Sequence, residues 1–218
     1  MRLVILTKSD MHNGYCIAGR DIESGRWVRL KNNRGVMDDT NLMTRNGYEC
    51  KELDVIEVEL LEETTRIEHQ PENVLIDQRY HLEKTGTMSW QEVIDKWGID
   101  NGRDLLGFSN GYYVTTVSKR SEYFYHNNIE NRSLAMIDVD EVSIDYGVVG
   151  NHPKIKFNFR NSFGETTEYY FRLTDPDFKN PRNGRPQNYD RAYLIVSLSE
   201  KYDGEKICLL AAKLIPIE

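Results

Sequence analysis

Seven residues near the amino terminus interleave cations with aromatic rings: Lys8, Tyr15, Arg20, Arg26, Trp27, Arg29 and Lys31. Single-stranded nucleic acid is bound by that combination, because bases stack on rings for about 1–3 kcal/mol each while Lys and Arg take the phosphates. Strand alternation within Trp27-Val28-Arg29-Leu30 sets Arg29 opposite Val28 and Leu30, so Arg29 is expected to be exposed and to contact phosphate, with Arg20 and Lys31 beside it. Tyr15 and Trp27 sit among apolar neighbours, and filling a core is the competing use for both. A second cationic candidate is Arg182-Asn183-Gly184-Arg185, inside the segment Asp175 to Pro186 that carries three prolines. Two guanidinium forks there could grip one phosphate; a solvated surface loop is the plain alternative.

Other chemistry is sparse. There is no Gly-rich phosphate loop ending in Lys-Ser or Lys-Thr, and no dinucleotide fingerprint. His12, His69, His81, His126 and His152 stand more than five residues apart, so no helical His pair for a metal exists. Cys16, Cys50 and Cys208 are odd in number and widely spaced, which argues against a disulfide framework and against zinc. Cys16 and Cys208 lie in apolar runs and are expected to be buried, reduced core residues. Glu57, Glu59, Asp138 and Asp140 alternate with apolar residues and read as solvated strand faces. No catalytic residue, metal ligand or cofactor is expected. Scattered carboxylates converging as a metal-dependent nuclease site remain an alternative.

The elements that must position these side chains are strands. Arg2 to Thr7, Gly14 to Gly19 and Trp27 to Leu30 are short, closely spaced and β-branched or aromatic, an antiparallel meander. Asp54 to Leu60 alternates, and Pro71 makes Thr65 to Ile76 an edge or loop. Ser89 with Glu92 forms a capping box; Val93, Ile94 and Trp97 share a helical face, and Gly98 ends the helix. After the strand-like Tyr112 to Val117, residues 120–132 turn polar and Asn-rich, a candidate boundary. Beyond it lie Leu134 to Ile144, Lys154 to Phe159, Thr167 to Leu173, and a hairpin of Ala192 to Leu198 with Lys206 to Ile215.

Each half thus offers about five strands, what a five-stranded Greek-key barrel needs. The expected fold is all-β with minor helix: two five-stranded barrels in tandem, at 1–120 (helix near 89–97) and 133–218. A single larger β-sandwich is the alternative.

Charge divides the chain. The formal net charge is −7, yet Met1 to Arg34 carries +4 and Glu49 to Asp104 carries −9. The first segment suits an anion, while the second would repel nucleic acid and suit a basic protein partner. A protein-interaction adaptor or inhibitor is therefore the second functional reading. The apolar start Leu3 to Leu6 is too short for a signal-peptide core, and the run Ile207 to Leu214 is broken by Lys213. A cytoplasmic protein without membrane association is expected.

Three segments at the amino end, Leu6-Thr7-Lys8-Ser9, Gly14-Tyr15-Cys16-Ile17-Ala18-Gly19-Arg20-Asp21 and Gly25-Arg26-Trp27-Val28-Arg29-Leu30, resemble the bacterial dual-OB domain family. His69-Gln70-Pro71-Glu72-Asn73, and the pair Leu194 to Leu198 with Leu209 to Ile215, are also similar to it. The resemblance implies two OB-type barrels. It implies an accessory role in bacterial conflict with phages and mobile elements, with single-stranded nucleic acid or nucleotide as ligand and a defence-system protein as partner. It supplies no catalytic set. The Pro-rich loop from Asp175 replaces the helix that an ideal barrel has between its third and fourth strands.

Overall fold

The computed structural model describes residues 1–11, 14–61, 67, 69–106, 114–127, 131–147, 153–181 and 184–217. Of the described residues 51% are strand and 15% helix, and the chain divides into two compact units. The first is Met1–Ile67 with Glu72–Gly98; the second is Glu68–Pro71 with Ile99–Glu218.

The first unit contains β1 (Arg2–Met11), β2 (Gly14–Asp21), β3 (Trp27–Lys31), α1 (Asp39–Leu42), β4 (Asp54–Glu57), β5 (Asn73–Leu75), β6 (Glu83–Thr87) and α2 (Trp90–Trp97). The sheet runs β5-β3-β2-β1-β4-β6, with β3 and β5 parallel. A bridge from Leu60 to Ile76 joins the chain beyond β4 to the chain beyond β5, and so closes a five-strand ring with β6 outside it. Leu3, Ile5, Ile17, Val28, Leu30 and Ile56 alternate into its core. The helix expected from Ser89 and Glu92 is α2: Ser89 Oγ accepts from Glu92 N at 3.2 Å, and Glu92 Oε2 accepts from Ser89 N at 2.7 Å. Gly25, at φ 69°, occupies the β2–β3 turn, and a side chain there would meet Trp97 Cδ1 at 2.7 Å.

The second unit contains α3 (Arg103–Leu106), β7 (Val114–Thr116), α4 (Val117–Asn127), β8 (Leu134–Asp145), β9 (Lys154–Arg160), β10 (Thr166–Leu173), a 3-10 turn (Pro176–Phe178), β11 (Asn188–Leu198) and β12 (Lys206–Pro216). Its ring is β8-β9-β10-β12-β11 and back to β8, with β10 and β12 parallel. Each unit therefore has the same closed strand order, first-second-third-fifth-fourth, and the chain makes two barrels. The Pro-rich loop does not disturb that order. Asp175 accepts from Asp177 N at 3.0 Å, and the 3-10 turn does the work of a connecting helix. Ile137, Phe157, Phe171, Leu194 and Leu209 fill the core, with the Phe157 and Phe171 rings edge to face at 5.2 Å.

Residues 120–132, where the sequence suggests a boundary, carry most of α4, whose Val117 and Phe124 are buried. The preceding β7 pairs with β12, and the division into compact units falls after Gly98. The expected burial of Cys16 and Cys208 is corrected: both are half-buried and Cys50 is the buried thiol. Alternation explains this, because Ile17, Ile207 and Leu209 take the inward positions beside them.

Candidate nucleic-acid interface

The amino-terminal cations and rings form no common row. In β3 alternation holds, with Val28 and Leu30 in the core, but every residue of the strand is buried. Trp27 is 8% exposed, Arg29 1% and Lys31 4%, so the expected exposure of Arg29 is corrected, and Lys31 beside it is buried as well. The reason lies at the β3 edge: Arg29 N donates to Glu72 O at 2.9 Å, and its guanidinium donates to Asn73 Oδ1 at 3.3 Å. At one end of β2, Arg20 lies 4.4 Å over the Trp27 ring and donates to Gly25 O at 2.7 Å. At the other end, Lys8 lies 4.1 Å over the Tyr15 ring and 2.6 Å from Glu49. Burial, then a hydrogen bond with Asp39, raises the Tyr15 phenol. Of these seven residues, Arg26 in the turn is the exposed one.

Arg185 is engaged by one acid and one ring of its own barrel. It donates to Asp177 Oδ2 at 3.1 Å and lies 5.1 Å over the Phe178 ring. Lys213 Nζ stands 3.0 Å from the same Asp177 oxygen and 3.4 Å from Asp175 Oδ1. Arg182 lies outside the described residues.

A different surface brings cations and an aromatic ring together. On β9 the burial alternates strictly, so Ile155, Phe157 and Phe159 enter the core while Lys154, Lys156, Asn158 and Arg160 face outward. On β10, Tyr169, Phe171 and Leu173 face in, and Glu168, Tyr170 and Arg172 face out. The register sets Lys154 opposite Arg172, Lys156 opposite Tyr170, and Asn158 opposite Glu168. Lys154, Lys156 and Arg172 are thus exposed cations around the half-buried ring of Tyr170, and Arg160 is exposed farther along the same face, opposite Thr166.

Acids hold several of these side chains in place. Tyr170 donates its hydroxyl to Asp145 Oδ2 at 3.1 Å, and Asn158 donates to Glu141 Oε2 at 2.7 Å. Lys156 pairs with Glu168 at 2.7 Å. The Gly147 N–H, then Tyr170, keep the Asp145 carboxyl below its ordinary range, while burial and then Asp145 raise the Tyr170 phenol. Beyond β10, Tyr202 stands 42% exposed and accepts from Cys208 Sγ at 3.3 Å.

Sequence reasoning identified this strand from Lys154-Ile155-Lys156-Phe157-Asn158-Phe159 but assigned its polar positions no function. The signal was present: alternation that buries three apolar residues must gather the intervening cations on one face.

Among the described residues no three His, Cys, Asp or Glu gather as a metal site, and no helix is long and apolar enough to cross a membrane. A Gly-x-Ser-x-Gly spacing occurs at Gly107-Phe108-Ser109-Asn110-Gly111, outside the described residues. It follows the helix α3 rather than the strand that a nucleophile elbow requires.

Among solved structures, a murine DNA-binding protein bound to double-stranded DNA aligns with 100% of this chain and 98% of its own. The identity is 10% and the TM-score 0.36, too low to carry a ligand across. No curated protein matches the sequence. A family model described as the dual OB-containing domain matches residues 1–214, and this chain, with its two rings of that strand order, belongs to the dual OB-containing domain family.

Proposed function

We propose that this protein binds single-stranded nucleic acid on the outer face of β9 and β10. One observation carries the reading: Lys154, Lys156 and Arg172 neighbour Tyr170 on the second and third strands of a closed barrel, and Arg160 continues the same outward row of β9. In OB barrels the face built from those strands takes oligonucleotides. Phosphates would meet the four cations and a base would stack on Tyr170. The bacterial context rests on the family resemblance. In it the chain is an accessory module of an anti-phage system, acting in the cytoplasm on nucleic acid beside a protein partner of the same system.

The test is titration of labelled single-stranded DNA and RNA, and of free nucleotides, at several salt concentrations. Single-strand binding loses about 0.7 in logarithmic slope for each phosphate contact removed, so Lys154→Ala, Arg160→Ala and Arg172→Ala should each flatten the salt dependence by about that amount. Absence of salt-sensitive binding to any of these ligands removes the proposal and leaves the adaptor reading.

A further inference from the structure

The strand next to the cationic face carries the opposite charge. On β8, Val139, Val142 and Ile144 enter the core, while Asp138, Asp140, Glu141 and Asp145 take outward positions. Register sets Asp140 beside Asn158 and Asp145 beside Lys154. Adjacent strands lie about 4.7–4.9 Å apart, so the sign of the surface reverses within one strand spacing. Asp138 is ion-paired with Arg191 of β11. Glu141 and Asp145 hold Asn158 and Tyr170, the two uncharged polar side chains at the centre of the face. Glu141 reaches its position through a positive φ of 51° where the β8–β9 register shifts, a local irregularity that aims one more carboxylate at this border.

Resting on the single-strand reading above, we infer that the acidic row of β8 determines specificity, admitting one phosphate chain and rejecting duplex. A single strand presents about one charge per 3.4 Å and a duplex one per about 1.7 Å, on two backbones. With one backbone following the cations of β9 and β10, the phosphates of the other spread over a wider band. Those above β8 meet carboxylates well inside the Debye length of about 8 Å at physiological salt. Discrimination of this kind comes from a built-in repulsion against the wrong ligand rather than from added attraction to the right one. A lone strand can follow β9 and β10 without crossing the border.

The experiment compares wild type with Asp140→Asn/Glu141→Gln/Asp145→Asn in the full chain, because amide oxygens still accept from Tyr170 and Asn158. A second triple variant, Glu57→Gln/Glu83→Gln/Asp95→Asn, makes the same change of net charge at exposed positions of the first barrel. Thermal melts establish that all three proteins are folded. Affinities are read for a labelled oligonucleotide and for a hairpin duplex of the same sequence. In the β8 variant duplex binding should tighten by about tenfold or more and single-strand binding by less than about threefold, since like-charge juxtaposition is the term removed. The control variant should leave the ratio of the two unchanged. Equal gains for both ligands, no gain for either, or the same change in the control overturns the inference while leaving single-strand binding intact. Wild type that binds neither ligand removes the underlying reading as well, a separate and recognisable result.

Discussion

Lys154 Nζ lies 5.0 Å from the centre of the Tyr170 ring on the neighbouring strand, and the Tyr170 hydroxyl is anchored to Asp145 at 3.1 Å. The ring is thereby fixed at its tip by an acid and flanked by a cation. It can offer a base a preset platform with little ordering cost.

Tyr170→Ala should accordingly weaken single-strand binding by about 1–3 kcal/mol, roughly five- to more than a hundredfold, which is the range for one stacked base. Tyr170→Phe should keep most of the affinity, since stacking needs the ring and not the hydroxyl. The salt slope should be unchanged in both. Fluorescence anisotropy with a labelled oligonucleotide reads all three quantities, and a slope that moves with Tyr170→Ala would mean that the ring serves the cations rather than the base.

Alternation carried the sequence reading far, and its limit is visible at Arg29. Val28 and Leu30 do face the core, and Arg29 does point the other way. Which outward positions meet solvent is decided by what packs on them. Glu72 and Asn73, more than forty residues later, reach Arg29 through a strand of only three residues. Nothing local in Trp27 to Lys31 encodes that cover. The same rule read Lys154 to Phe159 correctly as a strand, and its outward cations stay uncovered. The twin barrels were legible from strand count and spacing. Helix α4 was not, because Ser118, Lys119, Ser121 and Asn127 gave it the polar look of a linker.

Arg29→Ala should therefore act on stability and not on ligand. Removing a buried guanidinium takes away its bond to Asn73, and a hydrogen bond to a charged group contributes about 1.5–3 kcal/mol. Urea unfolding should show that loss. Oligonucleotide titration of the same variant should show the wild-type salt slope; a slope lower by about 0.7 would put Arg29 in contact with phosphate after all.

The thiols should separate by reactivity. Burial, reinforced by the Asp54 carboxylate, pushes Cys50 up to about 11, so at pH 8 almost none of it is thiolate, the reacting form. Cys16 and Cys208 are half-buried. Iodoacetamide followed by peptide mass spectrometry should find native protein modified at Cys16 and Cys208, with Cys50 joining only in urea. Rapid labelling of Cys50 in native protein would contradict its place in the core.

The remaining prediction concerns Lys213 and Asp175, whose side chains are 7% and 0% exposed and whose charged atoms stand 3.4 Å apart. Asp175 also accepts from the backbone N–H groups of Asp177 and Leu214, which ties the Pro-rich turn to β12. Burial raises the Asp175 carboxyl above its ordinary 3.8 despite the Lys213 charge. Lys213→Met should cost about 3–5 kcal/mol at neutral pH, because it strands a buried carboxylate. Adding Asp175→Asn should recover part of that loss, since the pair is then replaced by neutral groups. The pH dependence has a definite sign. A carboxyl with a raised folded-state value binds its proton more tightly in the native protein, so its contribution to stability is complete below about pH 3.8 and declines as pH rises through the folded-state value. The unfolding free energy of wild type minus that of Asp175→Asn should thus fall as pH increases above 3.8, and the penalty of Lys213→Met should shrink in acid. Urea titrations at stepped pH supply both comparisons. A difference that rises with pH would mean that the Lys213 charge outweighs burial, and the Asp175 carboxyl would then sit below its ordinary value.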